Sequence, residues 1–267
     1  MFSDDPIQKS RSEDAIIAYT WDHFLRNTDD TEWLLRLPMV KASLRAMDTI
    51  TEWTQQNLGN QIDYYGVAGA SKRGWTTWDV GAVDPDRVTL IVPIVLDAIN
   101  FAEVEHHQWK SYGGWTYALQ DYYDMDIMTR LDIPEMQLLQ TIVDPYFYRD
   151  RLTMPKLVVN AVGDEFQQPD DTWYWWDDMP EPKHFLMAPD SEHSLATGIF
   201  EVTPAVGTWL SYHLKGKPVP SFSWDIDHDS GDITVQLDGT KDPYEVTMWY
   251  ATSCNEGDPR RDFRYLF

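Results

Sequence analysis

The chain has 267 residues, of which 43% are hydrophobic and 14% aromatic, and its formal net charge is −23. This length and apolar content predict one large α/β domain with a small appendage and exclude global disorder. The acidic surface argues against nucleic acid and anionic membranes as partners. The sequence contains no run of about 18 apolar residues, so no membrane span is predicted. The single cysteine, Cys254, excludes an internal disulfide and a cysteine-based metal cluster.

The first 60 residues read as two helices. Acidic residues follow a possible cap at Ser12, and apolar residues recur at helical spacing from Ile17 onward, which predicts the first helix. A second helix is expected to begin near Thr31, to be interrupted at Pro38 and to resume as an amphipathic stripe through Trp53.

From there to residue 218, predicted strands alternate with predicted helices. This alternation is typical of an α/β domain with a mostly parallel sheet. A long segment rich in Trp, Tyr and Met, residues 97–154, reads as a helical insertion over that sheet. The predicted strands are 62–70, 88–96, 156–162 and 183–188, and the remaining predicted helices are 75–80, 171–178 and 199–214.

The pattern changes from residue 219 to the end of the chain. Three short segments alternate apolar and polar residues and are separated by Asp- and Gly-containing turns, which predicts an antiparallel meander. We interpret residues 219–267 as the start of a β-sandwich-like region. Its predicted strands are 221–226, 233–237 and 245–250.

A serine stands at the junction of the first predicted strand and the helix after it. An apolar run ends in Gly69-Ala70-Ser71, a pattern that is typical of a nucleophile elbow. Elbows commonly carry glycine two residues after the serine, whereas Arg73 occupies that position here and Gly74 follows it. An ordinary strand-to-helix turn with a passive serine is the alternative interpretation.

Asp164 and His193 also come directly after predicted strands, and Ser71, Asp164 and His193 occur in that order. In open α/β sheets, reactive groups lie on loops at the carboxyl ends of the strands. The order Ser, acid, His is that of the α/β-hydrolases. We therefore predict Ser71 as nucleophile, His193 as base and Asp164 as the orienting acid, with the backbone N–H of Lys72 as one oxyanion donor.

Each of these residues has a structural alternative and several competitors. Asp164 is also consistent with a turn residue at a strand end, and His193 with a loop histidine. Position after a strand in the expected order is what favours these two. The competing acids are Glu165, Asp170 and Asp171, and the competing bases are His106, His107, His184 and His213.

We expect no cofactor and no metal. His106 and His107, with Glu103 and Glu105, lack the i, i+4 spacing of helical metal ligands, which favours an exposed polar stretch. The insertion at 97–154 is predicted to cap the site, and Trp109 and Trp115 within it are the predicted substrate-binding residues for an apolar or sugar-like ligand.

Four runs of the sequence are distinctive: residues 11–21, 37–41, 69–74 and 260–264. They resemble the PhoPQ-activated pathogenicity-related family, and the resemblance covers nearly the whole chain. The resemblance implies an α/β-hydrolase-like fold with a β-rich C-terminal region, and a periplasmic or secreted protein without an established substrate. The Gly-x-Ser-x-x-Gly elbow is also similar to that of glucuronoyl esterases.

Members of that family are longer at the N-terminus, where the first strands, the second oxyanion donor and an export signal would lie. This chain begins with predicted helix and has no basic region followed by an apolar one, so no signal peptide is recognised in it. We therefore expect a fragment of a longer protein, with the first strands of the sheet missing.

Two functions from different classes follow from these observations. The first is a serine hydrolase that acts on an ester or peptide bond through Ser71. The second is a non-catalytic, secreted signalling or binding protein on a hydrolase-like fold. The substrate and the oligomeric state are left open.

Overall fold

The computed structural model describes residues 13–238, 245–252 and 262–264, and these residues form two compact units. The first unit contains residues 13–198 and 262–264, and the second contains residues 199–238 and 245–252. The units therefore divide after Gly198, before the predicted boundary at residue 218. The predicted cap Ser12 and the single Cys254 lie outside the described residues.

The first unit is built on a parallel sheet of four strands in the order β1-β2-β3-β4. A helical connection separates each strand from the next, and the longest connection is the insertion between β2 and β3. The predicted α/β class, with a parallel sheet and a helical insertion, is confirmed. The strands are β1 Tyr65–Ala70, β2 Val88–Ile94, β3 Lys156–Ala161 and β4 Lys183–Ala188.

Six α-helices belong to this unit, two of them before the sheet and three of them in the insertion. They are α1 Glu13–Arg26, α2 Arg36–Leu58, α3 Lys72–Val83, α4 Phe101–Tyr112, α5 Gln120–Asp124 and α6 Pro134–Val143. Short 3₁₀ helices connect them. These are Thr31–Trp33, Tyr117–Leu119, Met128–Arg130, Pro145–Arg151 and Asp171–Tyr174, the last of which replaces the longer helix predicted at 171–178.

Pro38 does not interrupt the second helix, contrary to the prediction. It is the third residue of α2, which runs without a break from Arg36 to Leu58. The first turn of a helix has backbone N–H groups without intrahelical acceptors, so a proline there costs no hydrogen bond. The helix ends at Gly59, whose positive φ of 66° is the usual left-handed ending.

Burial follows the position of each strand in the sheet. Every residue of β3 is buried, and so are most of β2, as expected for central parallel strands covered on both faces. Among the described strands, β1 pairs only with β2, and alternate residues of β1 are exposed. The site therefore lies at the end of a strand that has one described neighbour.

Aromatic side chains form much of the core under the sheet and the insertion. The ring of Trp21 meets those of Trp75, Phe101 and Tyr122 at centroid distances of 5.8, 5.2 and 5.5 Å. Each pair is steeply inclined, the geometry that aromatic quadrupoles favour. Trp21 lies on α1 and Phe101 on α4, so this cluster joins the N-terminal helix to the start of the insertion.

The second unit contains helix α7, Ile199–Leu214, and a hairpin of strands β5, Phe222–Ile226, and β6, Ile233–Leu237. All residues of both strands are exposed. The third predicted strand is wrong: residues 245–250 pair with no described strand. Alternating apolar and polar residues form a strand only when another strand pairs with them. The β-sandwich-like region stays a prediction. No helix in the described part of the chain is long and apolar enough to cross a bilayer.

Candidate active site

Ser71 lies at a strained turn between β1 and α3. Its φ and ψ are 56° and −127°, a conformation that non-glycine residues rarely adopt. Its N–H donates to the carbonyl of Ile94 at 2.8 Å, and its own carbonyl accepts from the N–H of Trp75 at 3.1 Å. These two hydrogen bonds connect the turn to β2 on one side and to the new helix on the other.

Two glycines allow this turn to form. A Cβ added to Gly69 would lie 2.5 Å from the carbonyl oxygen of Arg73, and one added to Gly74 would lie 2.8 Å from that of Ile94. Both distances are closer than real Cβ contacts. Arg73 itself is exposed and pairs with Glu13 at 2.6 Å. The glycine requirement therefore falls one position later than in the common motif, which explains why Arg73 is tolerated.

Ser71, His193 and Asp164 form one chain of hydrogen bonds. Nε2 of His193 lies 2.8 Å from Oγ of Ser71, and Nδ1 lies 2.8 Å from Oδ2 and 3.0 Å from Oδ1 of Asp164. The serine follows β1, the aspartate follows β3 and the histidine follows β4. Parallel strands end at the same edge of a sheet, so three residues far apart in sequence meet there.

The neighbours of Asp164 hold its carboxylate in place. Oδ1 accepts the backbone N–H groups of Phe166 and Gln167 at 2.7 and 3.2 Å, and the ring of Phe166 lies 4.3 Å from that of His193. Glu165, a competitor for the acid role, instead accepts the backbone N–H of His193 at 3.1 Å. Glu165 therefore supports the loop of the histidine and does not contact its ring nitrogens.

Two opposing effects set the protonation of His193. Burial lowers the pKa of its imidazole, but the hydrogen bond and the negative charge of Asp164 outweigh burial, and the pKa lies above the usual 6.5. The neutral imidazole needed to accept a proton from Ser71 therefore forms only as the pH rises through this raised value.

The competing histidines of the first unit make contacts of their own. His106 and His107 lie on α4. Nε2 of His106 is hydrogen-bonded to Asp132 at 2.8 Å, and Nε2 of His107 to Asp170 at 3.1 Å. His184 is part of β4, where it pairs with Leu157. The remaining competitor, His213, belongs to the second unit.

Lys72 is the first residue of α3, where the backbone N–H has no intrahelical acceptor. This is the position from which an oxyanion donor acts in a nucleophile elbow. The side chain of Lys72 points to Asp14, with Nζ 3.0 Å from Oδ2. The ammonium group is thus paired with a carboxylate, and the backbone N–H of Lys72 stays the predicted oxyanion donor.

The pocket at Ser71 has a volume of about 450 Å³, which includes space open to solvent. Arg36, Phe101 and Glu105 line it, together with aromatic residues of the elbow helix and the acid loop. The predicted substrate-binding residues Trp109 and Trp115 are not among its lining residues. They lie against each other at a centroid distance of 4.4 Å, and their role in binding stays a prediction.

Arg36 is a pocket residue that the sequence reading missed. It is buried, its Nη1 donates to the carbonyl of Lys72 at 2.8 Å, and its guanidinium lies 4.2 Å from the ring centroid of Trp75. A single arginine inside the apolar run 33–37 is the signal that was available. Its hydrogen bond helps to hold the first turn of α3, and therefore the backbone around Ser71.

Behind the triad, the first unit buries several carboxyl groups. Asp97, Glu105 and Asp171 are all at most 2% exposed, and each has one side-chain oxygen without a hydrogen-bond partner in the described structure. Burial raises the pKa of Glu105 to about 8 and places that of Asp97 well above its usual range. The backbone N–H of Asp97 donates to the side chain of Gln167, which connects the end of β2 to the acid loop.

Comparison with known proteins gives one family. A family profile described as PhoPQ-activated pathogenicity-related protein matches residues 1–264. Autocrine proliferation repressor protein A from Dictyostelium discoideum is 40% identical over 274 residues, which cover 100% of this chain and 54% of that protein. The chain thus spans about half the length of this curated relative.

Among solved structures, the chain is similar to an acetyl xylan esterase from Paenibacillus sp. R4, with 13% identity, 67% of this chain and 52% of that chain covered, and a TM-score of 0.49. Est1E from Butyrivibrio proteoclasticus has 16% identity and a TM-score of 0.40, with 55% of this chain and 60% of that chain covered. A monoacylglycerol lipase from Paleococcus ferrophilus has 16% identity and a TM-score of 0.41, with 65% of this chain and 76% of that chain covered. The activities in these names belong to those proteins.

Proposed function

The chain belongs to the PhoPQ-activated pathogenicity-related protein family, and we propose that it acts as a serine hydrolase. In this proposal it cleaves an ester or peptide bond by acyl transfer through Ser71. The observation that supports it is the hydrogen-bond chain from Oγ of Ser71 through His193 to Asp164, with both imidazole contacts at 2.8 Å. A family name alone does not specify a reaction, so the proposal depends on this geometry.

In the first half of the reaction, Oγ of Ser71 attacks the carbonyl carbon of the substrate while Nε2 of His193 accepts the hydroxyl proton. The backbone N–H of Lys72 stabilises the negative charge on the carbonyl oxygen. The bond between the carbonyl carbon and the leaving group then breaks, and His193 gives the proton to the leaving group. An acyl ester on Ser71 remains.

In the second half, water attacks the acyl ester and His193 accepts a proton from the water. The bond to Oγ breaks, the acid product leaves, and the proton passes from His193 back to Ser71. Asp164 holds the imidazole in the required tautomer and stabilises its charged form in both halves. The strained backbone of Ser71 keeps its hydroxyl clear of the sheet.

A fluorophosphonate probe tests this proposal without knowledge of the substrate, because it reacts with activated serines. We expect covalent labelling of the wild-type chain at one site, found at Ser71 by peptide mass spectrometry. Ser71→Ala should abolish the labelling. Any hydrolysis of aryl esters or aminoacyl amides should fall about 10⁴-fold or more in that variant.

Ser43→Ala provides the matched control. Ser43 lies on α2, and its hydroxyl donates to the backbone carbonyl of Met39 at 3.2 Å and not to a histidine. Labelling of this variant should equal that of the wild type. A folded wild-type chain that is not labelled, or a Ser71→Ala variant labelled as strongly as Ser43→Ala, would sink the hydrolase proposal.

The name of the 40% identical relative supports a second candidate. That protein is named an autocrine proliferation repressor. The corresponding proposal for this chain is an exported signalling or binding protein, periplasmic or secreted, in which the serine is idle. Addition of purified wild-type and Ser71→Ala protein to cultures of the source cells separates the candidates. Equal growth effects of the two proteins favour signalling, and an effect that needs Ser71 favours hydrolysis.

A further inference from the structure

His107, Asp170 and Asp171 form a cluster that the proposed reaction does not use. His107 lies on α4, and the two aspartates lie where the 3₁₀ helix Asp171–Tyr174 begins. One ring nitrogen of the histidine and one oxygen of each carboxylate all lie within 4.8 Å of one another. These groups therefore converge from the insertion and from the loop that follows β3.

A buried oxygen within this cluster lacks a partner. Asp171 is fully buried, and its Oδ2 accepts the backbone N–H of Gln168 at 2.7 Å. Its Oδ1 has no hydrogen-bond partner, and neither has the buried Oε1 of Gln168. A carboxylate oxygen withdrawn from water without a partner is costly, so this atom points to a ligand that would satisfy it.

Two further carboxyl groups lie in the same interior. Asp97 and Glu105 are both buried and lie close enough to Asp171 to interact with it electrostatically. The side chain of Asp97 receives one hydrogen bond, from the indole N–H of Trp175 at 2.7 Å, and the buried Oε2 of Glu105 has no partner in the described structure. Within the described residues, no lysine or arginine forms an ion pair with any of these three acids. A cation at the cluster would supply the counter-charge that the carboxylate of Asp171 lacks.

We propose that His107, Asp170 and Asp171 bind one divalent transition-metal ion, of the kind represented by Zn²⁺ or Mn²⁺. A set of one imidazole nitrogen and two carboxylate oxygens suits these ions, whereas Mg²⁺ and Ca²⁺ prefer oxygen alone. Metal–ligand distances of about 2 Å place ligand atoms about 3 to 4 Å apart, so the three side chains need only a small closure.

The second ring nitrogen of His107 already has a neighbour that could orient the ring. Nδ1 lies 3.5 Å from the hydroxyl oxygen of Ser111, one turn along α4. With Nε2 on the metal, the proton of the neutral imidazole would sit on Nδ1 and be donated to this hydroxyl. Partners of this kind set the tautomer of metal-bound histidines.

The ion would connect the insertion to the loop that carries Asp164. Gln108, the next residue of α4, donates its side-chain N–H to the carbonyl of Phe166 at 3.0 Å. The ring of Phe166 lies against His193. A metal bound by His107 and Asp171 would tighten the same junction from the other side, so its role is to stabilise the fold next to the site.

Calorimetric titration of the full chain tests the proposal. The protein is first freed of metal by a chelator and then titrated with MnCl₂ and, separately, ZnCl₂ at 150 mM NaCl. We expect one ion per chain and a rise of several degrees in the thermal unfolding midpoint when it is bound. His107→Ala and Asp171→Asn should each weaken binding at least tenfold and remove the rise in the midpoint.

His106→Ala is the matched control, because His106 is the preceding residue on α4 and bonds to the exposed Asp132. It should bind the ion within twofold of the wild type. Circular dichroism checks that each variant is folded. If Asp171→Asn does not fold, the binding measured for His107→Ala decides the test. Many weak equivalent sites in place of one, no binding, or equal losses in His106→Ala and His107→Ala would overturn the proposal and leave His107 as a hydrogen-bond partner of Asp170.

Discussion

His193 is the side chain on which the proposed chemistry depends most directly. It is largely buried, which disfavours its charged form, yet Asp164 contacts it through both carboxylate oxygens. The contact outweighs burial and raises the pKa of the imidazole above 6.5. A proton held more tightly must be lost at a higher pH before the imidazole can act as a base.

Asp164→Asn should reverse this balance. The wild-type rate of labelling by a fluorophosphonate is expected to increase with pH, with a midpoint above 6.5. In the variant, burial remains and the carboxylate charge is gone, so the midpoint should fall below the wild-type value. The maximal rate should also fall, by about 10⁴-fold, because the wrong tautomer is favoured.

Asp132→Asn is the comparison for this experiment, since Asp132 is exposed and contacts only His106 among the histidines. Its pH profile should match that of the wild type. If the midpoint of Asp164→Asn stayed where the wild-type midpoint is, the assignment of Asp164 as the partner of the titrating histidine would be wrong.

Among the helices, α4 begins without a cap of its own. Its N-cap residue, Asn100, has a left-handed backbone and makes no side-chain cap hydrogen bond. Asp144, at the end of α6, supplies the acceptors: its carboxylate receives the backbone N–H groups of Asn100 at 3.2 Å and Phe101 at 2.8 Å. It also receives that of Tyr146 at 3.0 Å, so one buried side chain joins three segments of the insertion.

Asp144→Ala should therefore destabilise the chain, since it leaves three N–H groups without their acceptor, one of them buried and two partly buried. We expect a loss of about 2 to 3 kcal/mol in the free energy of unfolding, measured in urea. Asp144→Asn, which keeps one acceptor oxygen, should lose less. Asp86→Ala, in an exposed turn, should stay within about 0.5 kcal/mol of the wild type. Equal stabilities of Asp144→Ala and Asp86→Ala would contradict this role for Asp144.

The molecule as a whole carries a large negative charge, with 44 acidic and 21 basic residues. Repulsion among these charges opposes the compact state. The ion pairs at the surface offset only part of it, because exposed pairs contribute little each. Salt screens charges over about 10 Å at 0.1 M, so screening should benefit the folded chain more than the expanded one.

The thermal unfolding midpoint is accordingly expected to rise by several degrees as NaCl increases from 20 to 500 mM. KCl at equal ionic strength should give the same rise, because the effect is one of screening and not of a particular ion. A midpoint that falls with salt would show that attractive pairs, such as Arg87 with Asp48 and Asp84, dominate the electrostatics.

Much of the site could be predicted before the fold was known. Ser71, Asp164 and His193 each follow an apolar strand, and the carboxyl ends of parallel strands converge. Arg36 and Glu105 were not predicted as pocket residues, because no spacing in the chain relates them to Ser71. Pro38 and residues 245–250 were assigned wrongly for a related reason: a helix start and a strand partner depend on where the neighbouring backbone lies.

Local chemistry is already written in the linear chain. Glycines at 69 and 74 permit the turn at Ser71, apolar runs produce β2 and β3, and the excess of acid predicts a surface sensitive to salt. The folded arrangement is needed for everything that depends on distance or burial. It raises the pKa of His193 through Asp164, leaves an oxygen of Asp171 without a partner, and brings a ring nitrogen of His107 within 4.8 Å of an oxygen of that carboxylate. Free energies of burial and pairing depend on three-dimensional neighbours, which sequence spacing does not contain.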